Sequence, residues 1–357
     1  MNTLSISGPE HDAAHRGFAS DNNAGIHPEA LEAIARANGG HVPAYGDDGY
    51  TERFRELMRE HFGPRTEAFP VFNGTGANVI SLHAMLPRWG GVLCADTAHI
   101  NVDEGGAPER IAATKLTAVP TPDGKLTPDL VERYATGWGK VHRPQPAVVS
   151  ITQSTEMGTV YDPADVAAIA ERTHSLGMKL HMDGSRLSNA AASLGLPLRA
   201  FTSDAGVDIL SLGGTKNGLL AAEAVVVMHP ELEGIPFLRK MDLQLPSKMR
   251  FVSAQLIALF GSDLYLRSAD HANRMARRLR SLVEHLPGVQ VTQPTEANAV
   301  FAILEPRAIE RLRTRRRFYD WDAARGEVRW MCAFDTTDAD VDAFAADIRQ
   351  AITNQSG

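Results

Sequence analysis

The sequence predicts an α/β fold, with a large domain built on a mainly parallel sheet covered by helices and a smaller α+β domain at the C-terminal end. Three observations carry that expectation. Between residues 68 and 228, apolar runs of strand length alternate with helical patterns, which is how strand–helix–strand units with parallel strands read. After Pro236 the texture changes to long helices followed by short strands. Finally, 357 residues with 43% hydrophobic and 22% charged side chains suit a soluble globular chain too long for one compact core.

Residues 1–17 are polar and unpatterned, and are expected to form a mobile tail. Asp21-Asn22-Asn23-Ala24-Gly25 supplies turn chemistry ahead of a helix started by His27-Pro28-Glu29. A second helix is expected over 51–62, where Phe54, Leu57, Met58, His61 and Phe62 recur at helical spacing. Strands follow at 68–72, 91–95, 147–152, 179–182, 207–211 and 224–228, with a helix at 163–176. Beyond them come helices over 247–266 and 269–286, strands over 289–292, 299–304 and 327–334, and a last amphipathic helix over 338–353. No repeat or low-complexity linker separates the parts, so the expected division is 1–17, 18–240 and 241–357, with a cleft between the two domains.

A formal charge of −7 gives no electrostatic footprint for nucleic acid, and Arg311, Arg313, Arg315, Arg316 and Arg317 read as a solvated helix face. No window of 18 or more apolar residues could span a bilayer and the start lacks a signal-peptide pattern, so a cytoplasmic protein is expected. Cys94 and Cys332 sit in separate apolar runs and are expected as buried thiols.

The most informative segment is Val207-Asp208-Ile209-Leu210-Ser211-Leu212-Gly213-Gly214-Thr215-Lys216-Asn217-Gly218, a strand running into a glycine-rich loop that presents a lysine. The glycine spacing and the missing Ser/Thr after the lysine exclude a P-loop. An amine on such a support can join a carbonyl cofactor such as pyridoxal phosphate, although a plain surface-loop lysine would read the same. Leu180-His181-Met182-Asp183-Gly184-Ser185-Arg186 ends an apolar strand with an acid at the edge where α/β sheets bind ligands. A carboxylate there can hold a pyridine nitrogen protonated, and Arg186 can offer a bidentate fork to a substrate carboxylate; a helix cap is the plainer reading of Asp183. Phe72-Asn73-Gly74-Thr75-Gly76-Ala77-Asn78 is a strand, a glycine turn and a helix start, which suits a phosphate and equally suits steric needs of a tight turn. His99 follows the strand at 91–95, where its ring could stack on a cofactor, and His142 in Val141-His142-Arg143-Pro144 is a weaker candidate. Asp96 with His99 lacks a third ligand, so no metal is expected.

Taken in order, these segments resemble the low-specificity L-threonine aldolases and the related phenylserine aldolases, of the aspartate-aminotransferase-like group of pyridoxal phosphate enzymes. The resemblance also runs through Phe18-Ala19-Ser20-Asp21-Asn22, Tyr45-Gly46-Asp47-Asp48, Glu104-Gly105-Gly106-Ala107-Pro108-Glu109, Thr155-Glu156-Met157-Gly158, Ser247-Lys248-Met249-Arg250-Phe251 and Val328-Arg329-Trp330-Met331-Cys332. It implies fold type I with a seven-stranded, mainly parallel sheet in the large domain. By position, it implies Lys216 as the Schiff-base lysine, Asp183 as partner of the ring nitrogen, His99 stacked on the ring, and Gly74, Thr75 and Gly76 on the phosphate. Thr215 and Arg186 would also touch the cofactor, with Arg250 reaching it from a neighbouring subunit. Ser20, Arg186 and Arg329 would hold the substrate carboxylate, and His99 and His142 would lie near the 3-hydroxyl. The stretch from Glu305 to Trp321 and the tail before Phe18 depart from the family pattern.

The implied reaction is cleavage of L-3-hydroxy amino acids such as threonine, allo-threonine and 3-phenylserine to glycine and an aldehyde, by a homotetramer with shared active sites. The carboxylate arginines would set the Cα–Cβ bond across the cofactor plane, and a base, His99 directly or through water, would take the hydroxyl proton. Competing readings are a pyridoxal phosphate lyase that eliminates a 3-substituent, a transaldolase, and a binding protein of this fold without turnover. No nucleic-acid or membrane partner is expected.

Overall fold

The computed structural model describes residues 10–229 and 231–353. Its larger sheet has seven strands: β1 (Glu67–Val71), β2 (Gly90–Ala95), β3 (Lys115–Val119), β4 (Gln145–Thr152), β5 (Lys179–Gly184), β6 (Ile209–Leu212) and β7 (Glu223–Val227). Their order is β1-β7-β6-β5-β4-β2-β3. Neighbours from β6 to β3 pair in parallel, and β7 runs antiparallel to both β6 and β1. Six strands therefore share one direction, and a mainly parallel seven-stranded sheet is what the chain forms.

Side chains alternate across a strand, and here both faces are apolar. On β2, Val92 and Cys94 join one buried cluster with Val148, Ile209, Val225 and the helix Gly74–Met85, whereas Leu93 joins the other. That second cluster holds Val149, Leu180, Met182 and Leu210 against the helices Gly49–Phe62, Pro163–Ser175 and Leu187–Leu194. Both cysteines are buried and unpaired.

The smaller sheet is antiparallel, in the order β10-β11-β9-β8, from β8 (Val289–Val291), β9 (Ala299–Leu304), β10 (Tyr319–Asp322) and β11 (Glu327–Met331). Its core packs Val300, Ala302, Val328 and Trp330 against the helices Leu264–Val283 and Asp338–Thr353.

Several boundaries differ from the sequence expectation, each for a local reason. β3 is a half-exposed edge strand, so it lacks the continuous apolar run that marked the other strands. The helix expected over 247–266 ends at Phe260, because Gly261-Ser262-Asp263 intervenes and the Ser262 hydroxyl accepts a hydrogen bond from the Leu264 amide at 3.2 Å. Met249, Val252, Leu256 and Leu259 lie in the large-sheet cluster although they follow residue 240, and the cluster of the small sheet takes over only at Met275. Phe18, at the other end, stacks on Phe344 with ring centroids 4.1 Å apart.

Residues 1–9 of the expected tail lie outside the described residues, while Arg16 pairs with Asp335 at 2.9 Å. The arginine-rich stretch is held by local acids: Arg313 by Asp320, and both Arg315 and Arg316 by Asp347.

Candidate active site

Parallel strands deliver their C-terminal ends to one edge of the sheet, and there a cavity is lined by Gly74, Thr75, Asn78, His99, Glu104, Asp183 and Lys216, together with Ser185, Ser211, Gly213 and Glu223. β5 presents Asp183 at its end, and β6 runs directly into the loop of Lys216. Gly213 makes that approach feasible, since a Cβ on it would lie 2.4 Å from the Ser185 carbonyl oxygen.

Asp183 is 4% exposed and accepts hydrogen bonds from Asn78 Nδ2 at 2.8 Å and from the Ser185 amide at 2.9 Å. Burial pushes its carboxyl up, but Lys216, Asn78 and His99 together hold it below the usual carboxylate range. The same Asn78 amide donates to Glu104 Oε1 at 2.8 Å, and that oxygen also meets His99 Nδ1 at 2.9 Å. Asp183, Asn78, Glu104 and His99 thus form one continuous chain of contacts. The Glu104 hydrogen bond raises the pKa of His99 against the opposing effect of burial. With Nδ1–H directed at Glu104, Nε2 is the ring nitrogen left for chemistry.

Burial lowers the pKa of the Lys216 amine, and the positive charge of Arg186 lowers it further. Glu223 holds the lysine loop in place, accepting from the amides of Gly214 at 2.7 Å and Thr215 at 3.3 Å, and burial raises its own pKa. Beneath Asp183, His181 is pinned between Ser150 Oγ at 2.9 Å and Ser211 Oγ at 3.0 Å, and burial lowers its pKa to about 4, so it stays neutral.

At the start of the helix Gly74–Met85 the Asn73 side chain caps the Gly76 amide at 2.7 Å, leaving the amides of Gly74 and Thr75 without a partner among the described residues. Of the three positions expected to bind phosphate, only these two present free donors. Gly76 serves packing instead, because a Cβ there would lie 2.2 Å from the Gln244 side chain.

The remaining expected site residues are placed as follows. Thr215 adjoins Lys216, with its hydroxyl accepting from the Ala222 amide at 3.3 Å. Ser20 caps Asn22 at 3.2 Å and precedes Asp21. Arg186 is held side-on, with Nε and Nη2 binding the two oxygens of Asp21 at 2.7 and 2.9 Å, and its Nη1 has no hydrogen-bond partner among the described residues. Arg329 has no acidic partner among the described residues; its Nε is buried without a hydrogen bond, and its guanidinium lies 5.8 Å from the Tyr319 ring and 5.6 Å from the Trp321 ring. Burial lowers its pKa to about 10, with Arg186 adding to the effect. Arg250 donates to the Gly40 carbonyl at 3.2 Å, outside the cavity lining of its own chain.

His142 is not brought to the cavity by its own chain. It is exposed on the loop before β4, whereas the site lies beyond the other end of that strand, where Thr152 pairs with Asp183. At about 3.3 Å per residue, Gln145 is roughly 23 Å from Thr152, which puts His142 at the opposite edge of the sheet. Within this chain it does not approach the 3-hydroxyl position that the resemblance gave it.

Sequence reading gave no role to Asp21, Asn78, Glu104, Glu156 and Glu223. Each lay in or beside a segment already singled out, but an acid or amide in a motif says nothing about its partner until the fold supplies one. Glu156 accepts from the His99 amide at 2.8 Å and from Thr152 Oγ1 at 2.9 Å, and burial followed by repulsion from Asp183 raises its pKa. It therefore fixes the backbone of His99. No group of three or more His, Cys, Asp and Glu residues among the described residues could hold a metal.

The residues fit pyridoxal phosphate on observations internal to the cavity. An amine of lowered pKa faces an ionised carboxylate, two helix-start amides await an anion, and Asn78 Oδ1 and Glu104 Oε2 are buried without partners.

Comparison with known proteins agrees with this geometry. The model of the beta-eliminating lyase family matches residues 17–305. A low specificity L-threonine aldolase of Pseudomonas aeruginosa is 46% identical over 335 residues, covering 93% of this chain and 96% of the relative. Another, from Pseudomonas sp. strain NCIMB 10558, is 44% identical over 339 residues, with 94% and 98% covered. Among solved structures, a Leishmania major threonine aldolase superposes with a TM-score of 0.88 at 27% identity, covering 94% of this chain and 99% of that one. An Oryza sativa protein solved with PLP and tryptamine shares the fold, at a TM-score of 0.75 and 15% identity over 96% of this chain and 84% of that one.

Proposed function

The chain belongs to the beta-eliminating lyase family, among the low-specificity L-threonine aldolases, and on that premise we propose how its residues divide the work of cleaving L-threonine to glycine and acetaldehyde. It is a pyridoxal-phosphate-dependent carbon–carbon lyase of fold type I. The observation that carries the residue-level reading is the unbroken chain from Asp183 through Asn78 and Glu104 to His99, in the cavity that also holds Lys216.

Lys216 would hold the cofactor covalently, Asp183 would face its ring nitrogen, His99 would cover one ring face, and the amides of Gly74 and Thr75 would take the phosphate. Bound there, the cofactor supplies an electron sink for the bond that breaks. Asp183, held ionised by Asn78 and Lys216, keeps a proton on the ring nitrogen. Arg329, free of any acid among the described residues, takes the substrate carboxylate and so fixes which bond at Cα stands ready to break. His99 Nε2 accepts the proton of the 3-hydroxyl, while Glu104 fixes the ring and stabilises its charged form; such base assistance is worth roughly 10²–10⁴-fold.

Three finer readings rest on the same frame. The rings of Tyr319 and Trp321 beside Arg329 support acceptance of 3-aryl substrates such as 3-phenylserine. A homotetramer with shared sites is supported by an apolar face around the helix Ile235–Met241: Phe237 is 80% exposed and Leu243 81%, beside Tyr45, whose ring lies 5.1 Å from Lys240 Nζ. Arg250, which anchors the loop at Gly40 near that face, would reach a neighbour's phosphate site. Two buried, unpaired thiols suit a reducing, cytoplasmic setting. We assign the cofactor to the large domain, 18–240, and the carboxylate anchor to the smaller one, 241–357.

The test is product analysis with L-threonine. Equal amounts of glycine and acetaldehyde are expected. Ammonia with a keto acid would mean elimination, and acetaldehyde without glycine in the presence of a second aldehyde would mean transaldol chemistry.

A further inference from the structure

A single amide lies between the two acids that order this site. Asn78 Nδ2 donates to Glu104 Oε1 and to Asp183 Oδ2, each at 2.8 Å, so both of its N–H groups are directed at carboxylates. Its oxygen, Oδ1, is buried without a partner, and the residue is 2% exposed. We propose that Asn78 is a positioning residue that keeps Asp183 and Glu104 ionised together, so that the partner of the ring nitrogen and the partner of His99 act at the same time.

The direction of these bonds is fixed, since the amide turned over would aim its oxygen at two carboxylates. The two accepting oxygens share one nitrogen and therefore lie roughly 5 Å apart. Buried acids that close, with no donor between them, hold a proton in common and one of them becomes neutral. Lys216, Arg186, His99 and Glu156 also face Asp183, but among the described residues none of them is hydrogen-bonded to both acids. Burial pushes the Asp183 carboxyl up, and Lys216 followed by the Asn78 hydrogen bond brings it down. Stability points the same way. A buried amide whose oxygen goes unbonded costs more than an apolar side chain of that shape, so what favours asparagine here is its nitrogen. Asn78 also lies one turn after Gly74 on the helix Gly74–Met85, so the element that offers amides to the phosphate orders the acids at the ring end as well.

The proposal rests on the reading of Asp183 as the ring-nitrogen partner, and its test needs neither substrate nor turnover. Infrared difference spectra of the holoenzyme at neutral pH detect protonated carboxyl groups, and acids common to all variants, Glu156 and Glu223 among them, cancel. Asn78→Leu, similar in shape but without donors, is expected to gain one protonated carboxyl per chain relative to wild type. Adding Glu104→Gln removes one of the two acids, and the gained band is expected to vanish. Circular dichroism and cofactor stoichiometry serve as controls. Should Asn78→Leu not fold, Asn78→Ser, which offers a single donor, is read by the same criterion with and without Glu104→Gln. A folded variant that gains no band, or a band that persists beside Glu104→Gln, would overturn the proposal, because an asparagine that only fills space acts the same whether or not Glu104 is present. The ring nitrogen is read separately, from the nitrogen-15 resonance of pyridoxal phosphate labelled at that atom. An unprotonated ring nitrogen in the wild-type protein would instead refute the reading of Asp183.

Discussion

Replacing Arg329 by lysine separates charge from geometry at the proposed carboxylate anchor. Lysine keeps the positive charge but has no planar fork, so one of two charge-assisted hydrogen bonds to the substrate is lost, worth about 1.5–3 kcal/mol. The guanidinium also leaves the faces of Tyr319 and Trp321, which lie 5.8 and 5.6 Å from it and hold it in place. Two such contacts contribute about 0.5–1 kcal/mol each. The sum, roughly 2.5–5 kcal/mol, corresponds to a rise in KM for L-threonine of about 10²–10⁴-fold. Coupling acetaldehyde release to an alcohol dehydrogenase and NADH gives kcat and KM separately. Cofactor affinity should be unchanged, because Arg329 does not line the cavity of Lys216 and Asp183. An unaltered KM, or a loss confined to cofactor binding, would refute the assignment of the carboxylate to Arg329.

Two further substitutions probe the cavity. Glu104→Gln removes the carboxylate that raises the His99 pKa, so His99 is expected to lose its proton at lower pH; since the base form is the active one, the acid limb of the kcat/KM profile should move to lower pH, and an unmoved limb would detach His99 from the hydroxyl step. Gly213→Ala places a methyl 2.4 Å from the Ser185 carbonyl oxygen, forcing the lysine loop away from β5; cofactor affinity should fall at least about tenfold by absorbance titration, with the secondary structure retained by circular dichroism.

Much of this architecture was legible because parallel strands buried on both faces write themselves as uninterrupted apolar runs. β2, β6 and β7 are buried along their whole length, and each stood out. β3 did not, since an edge strand with exposed Lys115 and Ala118 carries a broken pattern. Nothing in the apolar run of β7 reveals that it runs against its neighbours, because strand direction is decided by how the connection returns and not by the composition of the strand. Segments bearing Lys216, Asp183, Gly74 and His99 each follow a strand of the same sheet, and a shared strand direction alone suffices to bring such ends together. His142 shows the limit of that logic: it precedes β4 where the others follow their strands, and the sheet length then separates it from them. Asp21 shows another, since an acid 165 residues from Arg186 in sequence gives no local sign that it will pair with the arginine.

The central claim is that the amine at position 216 carries the cofactor. Borohydride reduction of the holoenzyme makes the carbon–nitrogen link permanent, and peptide mass analysis then locates the pyridoxyl group. The account expects it on Lys216, with no such adduct and no visible absorption in Lys216→Ala. A pyridoxyl group on any other lysine, or a correctly folded wild-type protein that takes up no cofactor, would contradict it.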